Sequence, residues 1–449
     1  MGKQALILTE QDYGFDIPDW AGLLIQKEFE VWSHSILGTE NPSKVELKAD
    51  IILLDLLDVA ASDIDILIER SVALRAKHGL DHARVPMVAI ASPSVHLTED
   101  QLLHFSDILQ PPLTGDLISN RLISLMRLAT MRREAERRAL TFKRFGVGLP
   151  VVPPPSDLAE QKLLFLGSGM AFLPVQSALP DSIDIVASLT PQMAEDMLEA
   201  QKFDALIIEL SDYNAHLVEF TNALRRNPSY FSLPIILVCH KKATEDGLAA
   251  LAAGANDIVS FPFSERFFEN RIDILVREER YRQQLRKIFS EARLLMPTDE
   301  ITRLYSEKFL KAHLEALEGD TGATSMSFAG IDISFDVIGD NQGHKIHENS
   351  LLSRVGRLIS SLMRAEDLLA RLDNGRFVAL FPDTDLYETR SALRRIRSIV
   401  QLSPFIEQSS QKGVKVSLDF SLHYSDTKSE MTDVDKILKD LFENPVIRF

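Results

Sequence analysis

Short apolar runs with almost no polar interruption recur along the first two thirds of the chain. They cover Ala5 to Thr9, Ile51 to Leu54 and Met87 to Ala91, then Leu163 to Leu166, Ala205 to Ile208 and Ile235 to Val238. A strand covered on both faces needs apolar side chains in both directions, so unbroken runs predict parallel strands between helical layers. Amphipathic segments alternate with these runs, which predicts doubly wound parallel sheets of the α/β class. The two sets also repeat one another. Asp107-Ile108, Pro112, Asn120-Arg121 and Arg127 match Asp257-Ile258, Pro262, Asn270-Arg271 and Arg277 at identical internal spacing. Such a repeat predicts two copies of one domain.

After the first copy, Leu117 to Leu140 has a helical pattern carrying Arg132-Arg133 and Arg137-Arg138, interleaved with Glu134 and Glu136. Interleaved charge predicts a solvated or partner-facing helix rather than a nucleic-acid site. Phe142 to Ser156 is rich in Gly and Pro and reads as a linker. The second copy ends in a charged helix over Glu265 to Leu295. From Thr298 the pattern changes to strand Ser327 to Ile333, helix Glu348 to Arg364, two strands about Asn374, helix Leu386 to Gln401 and strand Val414 to Leu422. Strands mixed with helices in this order predict an α+β sheet domain. The expected layout is residues 1–141 and 157–297 as the two copies, 142–156 as linker and 298–449 as the third domain.

A chain of 449 residues exceeds a single core. Its net charge of −16 argues against a general nucleic-acid or anionic-membrane surface. No stretch has the roughly 20 apolar residues of a spanning helix, and the N-terminal residues lack the pattern of a leader. The single cysteine, Cys239, excludes an intramolecular disulfide and a cysteine-cluster metal site. A cytoplasmic protein without membrane insertion is expected.

The most informative stretch runs from Leu362 to Pro382. Arg364 and Asp367 form the only Arg-x-x-Asp tetrapeptide; five residues follow, then Asp373-Asn374-Gly375-Arg376 leads into the apolar strand Phe377 to Phe381. Asn-Gly suits a tight hairpin turn. Guanine presents O6 and N7 acceptors to a planar guanidinium and donors to a carboxylate. Three residues apart at a helix end, Arg364 and Asp367 can face one base together.

This layout resembles the GGDEF domain of diguanylate cyclases, in which an Arg-x-x-Asp inhibitory site precedes the catalytic hairpin by five residues. Thr298-Asp299-Glu300-Ile301-Thr302-Arg303-Leu304 resembles that domain's opening, with Arg303 where the family has Gly. The resemblance implies cyclic di-GMP binding by Arg364, Asp367 and Arg395, the last counted from Phe377. It also implies a degenerate catalytic centre. Anchored on Gly343-His344, the metal-holding Asp falls on Ile331 and the hairpin acid on Gly375, with Asp332 one residue out of register; the guanine-reading pair falls on Gly339 and Glu348. No catalytic residue, metal site or cofactor is expected.

The repeated domains resemble the receivers of response regulators, whose site lies at the carboxyl ends of the strands. Asp55 is the phosphoacceptor candidate, with Thr9-Glu10, Ala91 and Pro111 at the other positions. The second copy has Gly167-Ser168, Glu209, Cys239 and Phe261 there, and Glu209 either mimics a phosphorylated Asp or is a carboxylate tolerated at a strand end.

Receiver, receiver and GGDEF-like domain together resemble the PleD-type response regulators, and loss of the catalytic signature resembles a non-cyclase effector among them. The resemblance implies a homodimer that recruits protein partners, such as the adaptor or substrate of regulated proteolysis at a cell pole. The alternative reading is a scaffold switched by phosphorylation of Asp55 without nucleotide binding.

Overall fold

The computed structural model describes the chain except residues 1–2, 11–17, 37–48, 79, 81–84, 93–94, 96, 112, 151–160, 212–214, 228, 241–242, 296–297, 318–324, 338–347, 374, 407–411, 426–432, 444, 446 and 449. Its contacts divide it into two compact units, residues 2–129 with 153–283 and residues 130–152 with 284–449.

The first unit holds both repeats. In chain order these are β1 (Lys3–Thr9), α1 (Gly22–Ile25), β2 (Phe29–Ser35), β3 (Ile51–Leu56), α2 (Ile64–Lys77), β4 (Met87–Ala91), α3 (Glu99–Leu102), β5 (Asp107–Leu109) and the long α4 (Gly115–Arg144). They continue with β6 (Lys162–Leu166), α5 (Phe172–Ser177), β7 (Asp184–Ser188), α6 (Pro191–Ala200), β8 (Ala205–Leu210), α7 (Ala215–Arg226), β9 (Ile235–His240), α8 (Thr244–Ala252), β10 (Asp257–Phe261) and α9 (Glu265–Leu295). The sheets are ordered β2-β1-β3-β4-β5 and β10-β9-β8-β6-β7, the same topology read from opposite edges. All their pairings are parallel. Every residue of β3 and of β8 is buried, as strands between two helical layers require.

The sequence repeat has a structural cause. In each copy the Asp that begins the last strand pairs with an Arg of the following helix, Arg121 Nε to Asp107 Oδ2 at 2.8 Å and Arg271 to Asp257. The two pairs are joined: Arg271 also reaches Asp107 and the Ile108 carbonyl, while Arg121 Nη2 reaches Glu278 at 3.0 Å. Glu278 further accepts from Ser124 Oγ at 2.8 Å and from Arg282. Burial opposes ionisation of Glu278, but Arg282 and Arg121 outweigh it and hold its carboxyl at about 2. A buried charge network thus fastens one receiver-like domain to the other.

The second unit contains β11 (Tyr305–Ser306), α10 (Glu307–Ala316), β12 (Met326–Val337), α11 (Glu348–Leu362), β13 (Leu368–Asp373), β14 (Arg376–Pro382), α12 (Leu386–Leu402), β15 (Phe405–Ile406), β16 (Gly413–Ser425), α13 (Val434–Phe442) and β17 (Ile447–Arg448). Its mixed sheet runs β11-β13-β14-β12-β16-β15, with β17 paired to β16. Alternate residues of the central strands face opposite cores. Ala329, Ile331, Phe377 and Ala379 pack with α11 and α12, whereas Met326, Phe328, Val378 and Leu380 pack with α10, α13 and Phe142 of α4.

Two expectations change here. The proposed linker at residue 142 begins inside α4, and Phe142 is fully buried, edge-on to Phe309 at 5.7 Å. The second half of α4 is not a solvated face either. Glu134, Arg137 and Arg138 are 1, 5 and 2% exposed, because their charges satisfy one another and the backbone of the C-terminal domain. Arg132 and Glu136 form a half-exposed i,i+4 pair at 3.3 Å.

Candidate functional site

Helix α11 ends at Leu362, two residues before Arg364, so the Arg-x-x-Asp pair sits in the turn to β13 rather than on the helix. The turn closes on itself. Arg364 N donates to Asp367 Oδ2 at 2.8 Å, and Asp367 N donates to the Arg364 carbonyl at 3.2 Å. This short-range use of an Asp side chain by neighbouring backbone is a common turn device. The two residues therefore differ from the expected pair of matched base-facing groups: Asp367 is buried and shapes the turn, while Arg364 is exposed. From below, Arg138 donates to the carbonyls of Ala365, Glu366 and Asp367.

Arg395 is exposed on α12, beside exposed Arg394; Arg397 turns inward, with its guanidinium 4.8 Å from the Phe420 ring centroid. Helices α11 and α12 cover the same sheet face, burying Val355 and Ile359 of one and Leu393 and Ile396 of the other.

At the hairpin, Asn374 and residues 338–347, which include Gly339, Gly343 and His344, lie outside the described residues, as do the side chains of Asp373 and Glu348. Gly375 adopts φ +77° and its carbonyl accepts from Ile333 N at 2.8 Å. Ile331, where the family alignment puts the metal-holding Asp, is fully buried in the core opposite Phe377. Asp332 lies on the other face, across the rung from Arg376, at 3.5 Å from its Nε and 3.9 Å from Arg448 Nη2. Asp332 is half-exposed at this rung, with the guanidinium groups of Arg376 and Arg448 near it and the exposed Asp419 directly across on β16. Among the described residues no group of three or more His, Cys, Asp or Glu side chains is arranged to hold a metal.

The opening loop of this domain is held together by Asp299. Asp299 Oδ1 accepts from Thr302 N at 2.7 Å and Thr302 Oγ1 at 2.8 Å, and Arg371 donates to Oδ2 at 2.7 Å. Burial opposes the charge on Asp299, yet these bonds hold its carboxyl below the usual range. Arg303 sits at φ +60°, a left-handed conformation that glycine adopts without a Cβ penalty.

In the first receiver-like domain, Asp55 is the penultimate residue of β3 and is buried. Trp20 Nε1 donates to its Oδ2 at 3.2 Å and Leu57 N to its Oδ1 at 3.1 Å. Burial raises its pKa against those two hydrogen bonds. Glu10 is half-buried, with its carbonyl accepting from Ser35 Oγ, and the residues that follow it lie outside those described. Sequence reasoning missed Trp20, since nothing in its local pattern ties it to Asp55.

Glu209 occupies the corresponding place in the second domain. Its Oε2 accepts from Ser168 Oγ at 3.1 Å and Gly169 N at 2.9 Å, and its Oε1 from Ala171 N at 2.8 Å. His240 Nε2 lies 3.1 Å from Oε1, and its ring packs 4.6 Å from Phe261. A Cβ at Gly167 would come within 2.5 Å of Glu209 Cβ, so glycine is what lets the loop close over the carboxylate. Cys239, at the hydroxyl position, donates Sγ–H to the Ala243 carbonyl at 3.0 Å, and burial pushes its thiol up to about 11. Each oxygen of Glu209 thereby has hydrogen-bond partners within its own domain.

Comparison with known proteins places these features in context. Residues 296–441 match the family described as diguanylate cyclase, GGDEF domain. The chain is 27% identical over 337 residues to the response regulator PleD of Caulobacter vibrioides, covering 74% of this chain and 73% of that protein. Among solved structures it is similar to a response regulator from Chloroflexus aurantiacus, at 20% identity and TM-score 0.24, covering 26% of this chain and 98% of that one. It is also similar to the coiled coil and GGDEF domain of DgcB from Caulobacter crescentus, solved in complex with c-di-GMP, at 21% identity and TM-score 0.26, covering 38% and 91% of the two chains. No described helix is long and apolar enough to cross a membrane.

Proposed function

We propose that this PleD-like chain, two receiver-like domains followed by a GGDEF domain, is a non-catalytic receptor for cyclic di-GMP. The observation that carries the reading is the exposed Arg364 on a turn closed by Asp367. A planar guanidinium held on a fixed turn can donate two parallel bonds to guanine O6 and N7. Arg395 on α12 supplies a second exposed cation for the ligand's phosphates or second base. The reading assigns no cyclisation: metal-assisted attack on GTP needs carboxylates around divalent ions, whereas the buried Ile331 stands where the family's metal-holding Asp falls, and Asp332 projects from the other face. In the manner of the non-cyclase effector PopA, the ligand-bound homodimer recruits a protein partner in the cytoplasm, an adaptor or substrate of regulated proteolysis, at a cell pole.

Calorimetric titration of cyclic di-GMP into wild type and Arg364→Ala at equal salt tests this. Wild type is expected to bind, and the variant to lose about 1–3 kcal/mol of affinity, the cost of one bidentate base contact. Absence of binding to both, or formation of product from GTP and Mg²⁺, would overturn the reading.

The phosphorylation-switched alternative meets an obstacle in the first receiver-like domain: Asp55 is buried against Trp20, and Ala91 and Pro111 stand where the receiver family has a hydroxyl and a lysine. Acetyl phosphate is accordingly expected to leave wild type and Asp55→Asn equally unmodified in intact-mass measurement. A phosphoryl adduct on wild type that is absent from the variant would restore phosphorylation as the input.

A further inference from the structure

The buried end of α4 gives the Arg364 turn a foundation that its own sequence does not contain. Arg138 is 2% exposed, yet each of its guanidinium nitrogens has an acceptor. Nε donates to Glu134 Oε1 at 2.8 Å, Nη1 to the Ala365 carbonyl at 3.3 Å, and Nη2 to the carbonyls of Glu366 and Asp367 at 2.8 and 2.9 Å. Its planar group lies 4.4 Å from the Phe289 ring centroid. Three consecutive carbonyls converging on one cation define the path of the turn that carries Arg364. Glu134 is fixed in its own right, accepting from Arg137 Nη1 at 2.9 Å and lying 3.2 Å from His313 Nε2.

We propose that Arg138 is the positioning residue of the ligand turn: it holds residues 365–367 in the shape that presents Arg364 to a guanine base, and Glu134 with His313 orients it. The inference rests on the cyclic di-GMP reading given above and adds a residue that touches no ligand. A lysine cannot replace it, because one ammonium group lacks the planar fork that spans three carbonyls and a carboxylate at once. Binding weakens when a recognition group must be ordered at the moment of association rather than beforehand.

The test is titration of cyclic di-GMP into full-length wild type, Arg138→Lys, Arg138→Met and Arg133→Met, each also followed by thermal unfolding. Arg133 lies on the same helix and pairs with Asp383, so its variant removes a second ionic anchor of α4 while leaving the Arg138 fork in place. Arg138→Lys and Arg138→Met are expected to bind about 10- to 100-fold more weakly, the usual effect of removing an outer group that orients a binding group. Arg133→Met is expected to keep wild-type affinity. Arg138→Lys bears on the proposal even where Arg138→Met fails to fold. A folded Arg138→Lys that binds as wild type does, with only a lowered melting temperature, would reduce Arg138 to a structural role and overturn the proposal while leaving the receptor reading intact. Absence of binding to wild type would overturn both.

Discussion

Asp107→Ala is expected to destabilise the receiver pair by about 3–5 kcal/mol, the cost of leaving buried charge unpaired. Asp107 is the one carboxylate shared by Arg121 and Arg271, and all three side chains are at most 2% exposed. With it gone, Arg121, Arg271 and Arg282 share only Glu278 and Asp257, which leaves one positive charge of the network uncompensated and removes the Arg271–Asp107 bond between the domains. Urea unfolding followed by tryptophan fluorescence reads this directly, because both tryptophans, Trp20 and Trp32, lie in the first receiver-like domain. The same network sets an acid limit. The carboxyl of Glu278 is held at about 2, against an ordinary 4.5. A carboxyl whose pKa falls on folding stabilises the fold fully above its unfolded value and loses that contribution as pH drops toward its folded value. Wild type should therefore weaken progressively between pH 4.5 and 2, and Glu278→Gln should lack that part of the slope.

Glu134→Leu should cost the C-terminal unit a similar amount, about 3–5 kcal/mol. The substitution leaves Arg137, Arg138 and His313 buried around an apolar side chain. Burial opposes the charge on Glu134, but His313 and Arg138 hold its carboxyl well below the usual range. Burial likewise pushes His313 below its ordinary value. Hydrogen exchange is the suitable measurement, with lost protection expected in the second half of α4 and in α10. Unchanged protection there would mean that apolar packing of Phe142, Phe145 and Phe309 holds the helix without the ionic cluster.

Local chemistry made several elements readable. The apolar runs of β3, β4, β8 and β9 can be covered only between two helical layers, and the strands follow those runs closely. The apolar strand Phe377 to Phe381, following Asn-Gly, marked the hairpin, and β14 begins at Arg376. Strands β2 and β7 escaped notice because each is a sheet edge carrying polar or exposed residues, Trp32 among them. Strand β5 was too short, at three residues, to show a pattern.

The candidate site divides in the same way. Spacing along the chain was enough to put Arg364 and Asp367 between a helix and the hairpin, to put an acid near the end of the central strand of each receiver-like domain, and to show that Asp107 and Arg121 recur as Asp257 and Arg271. Those are statements about neighbours along the chain, where spacing dictates geometry. Only the tertiary structure decided that Asp367 shapes the turn while Arg364 is presented, and that Trp20 caps Asp55. It alone put Asp332, rather than residue 331, on the face of Arg376. The charges of α4 show why. Glu134 and Arg138 have the local pattern of a solvated helix, and their burial depends on His313 and on the backbone of residues 365–367, far away in sequence. A charge can leave water only where such partners replace its hydration, and no local pattern records which distant partner the fold will supply.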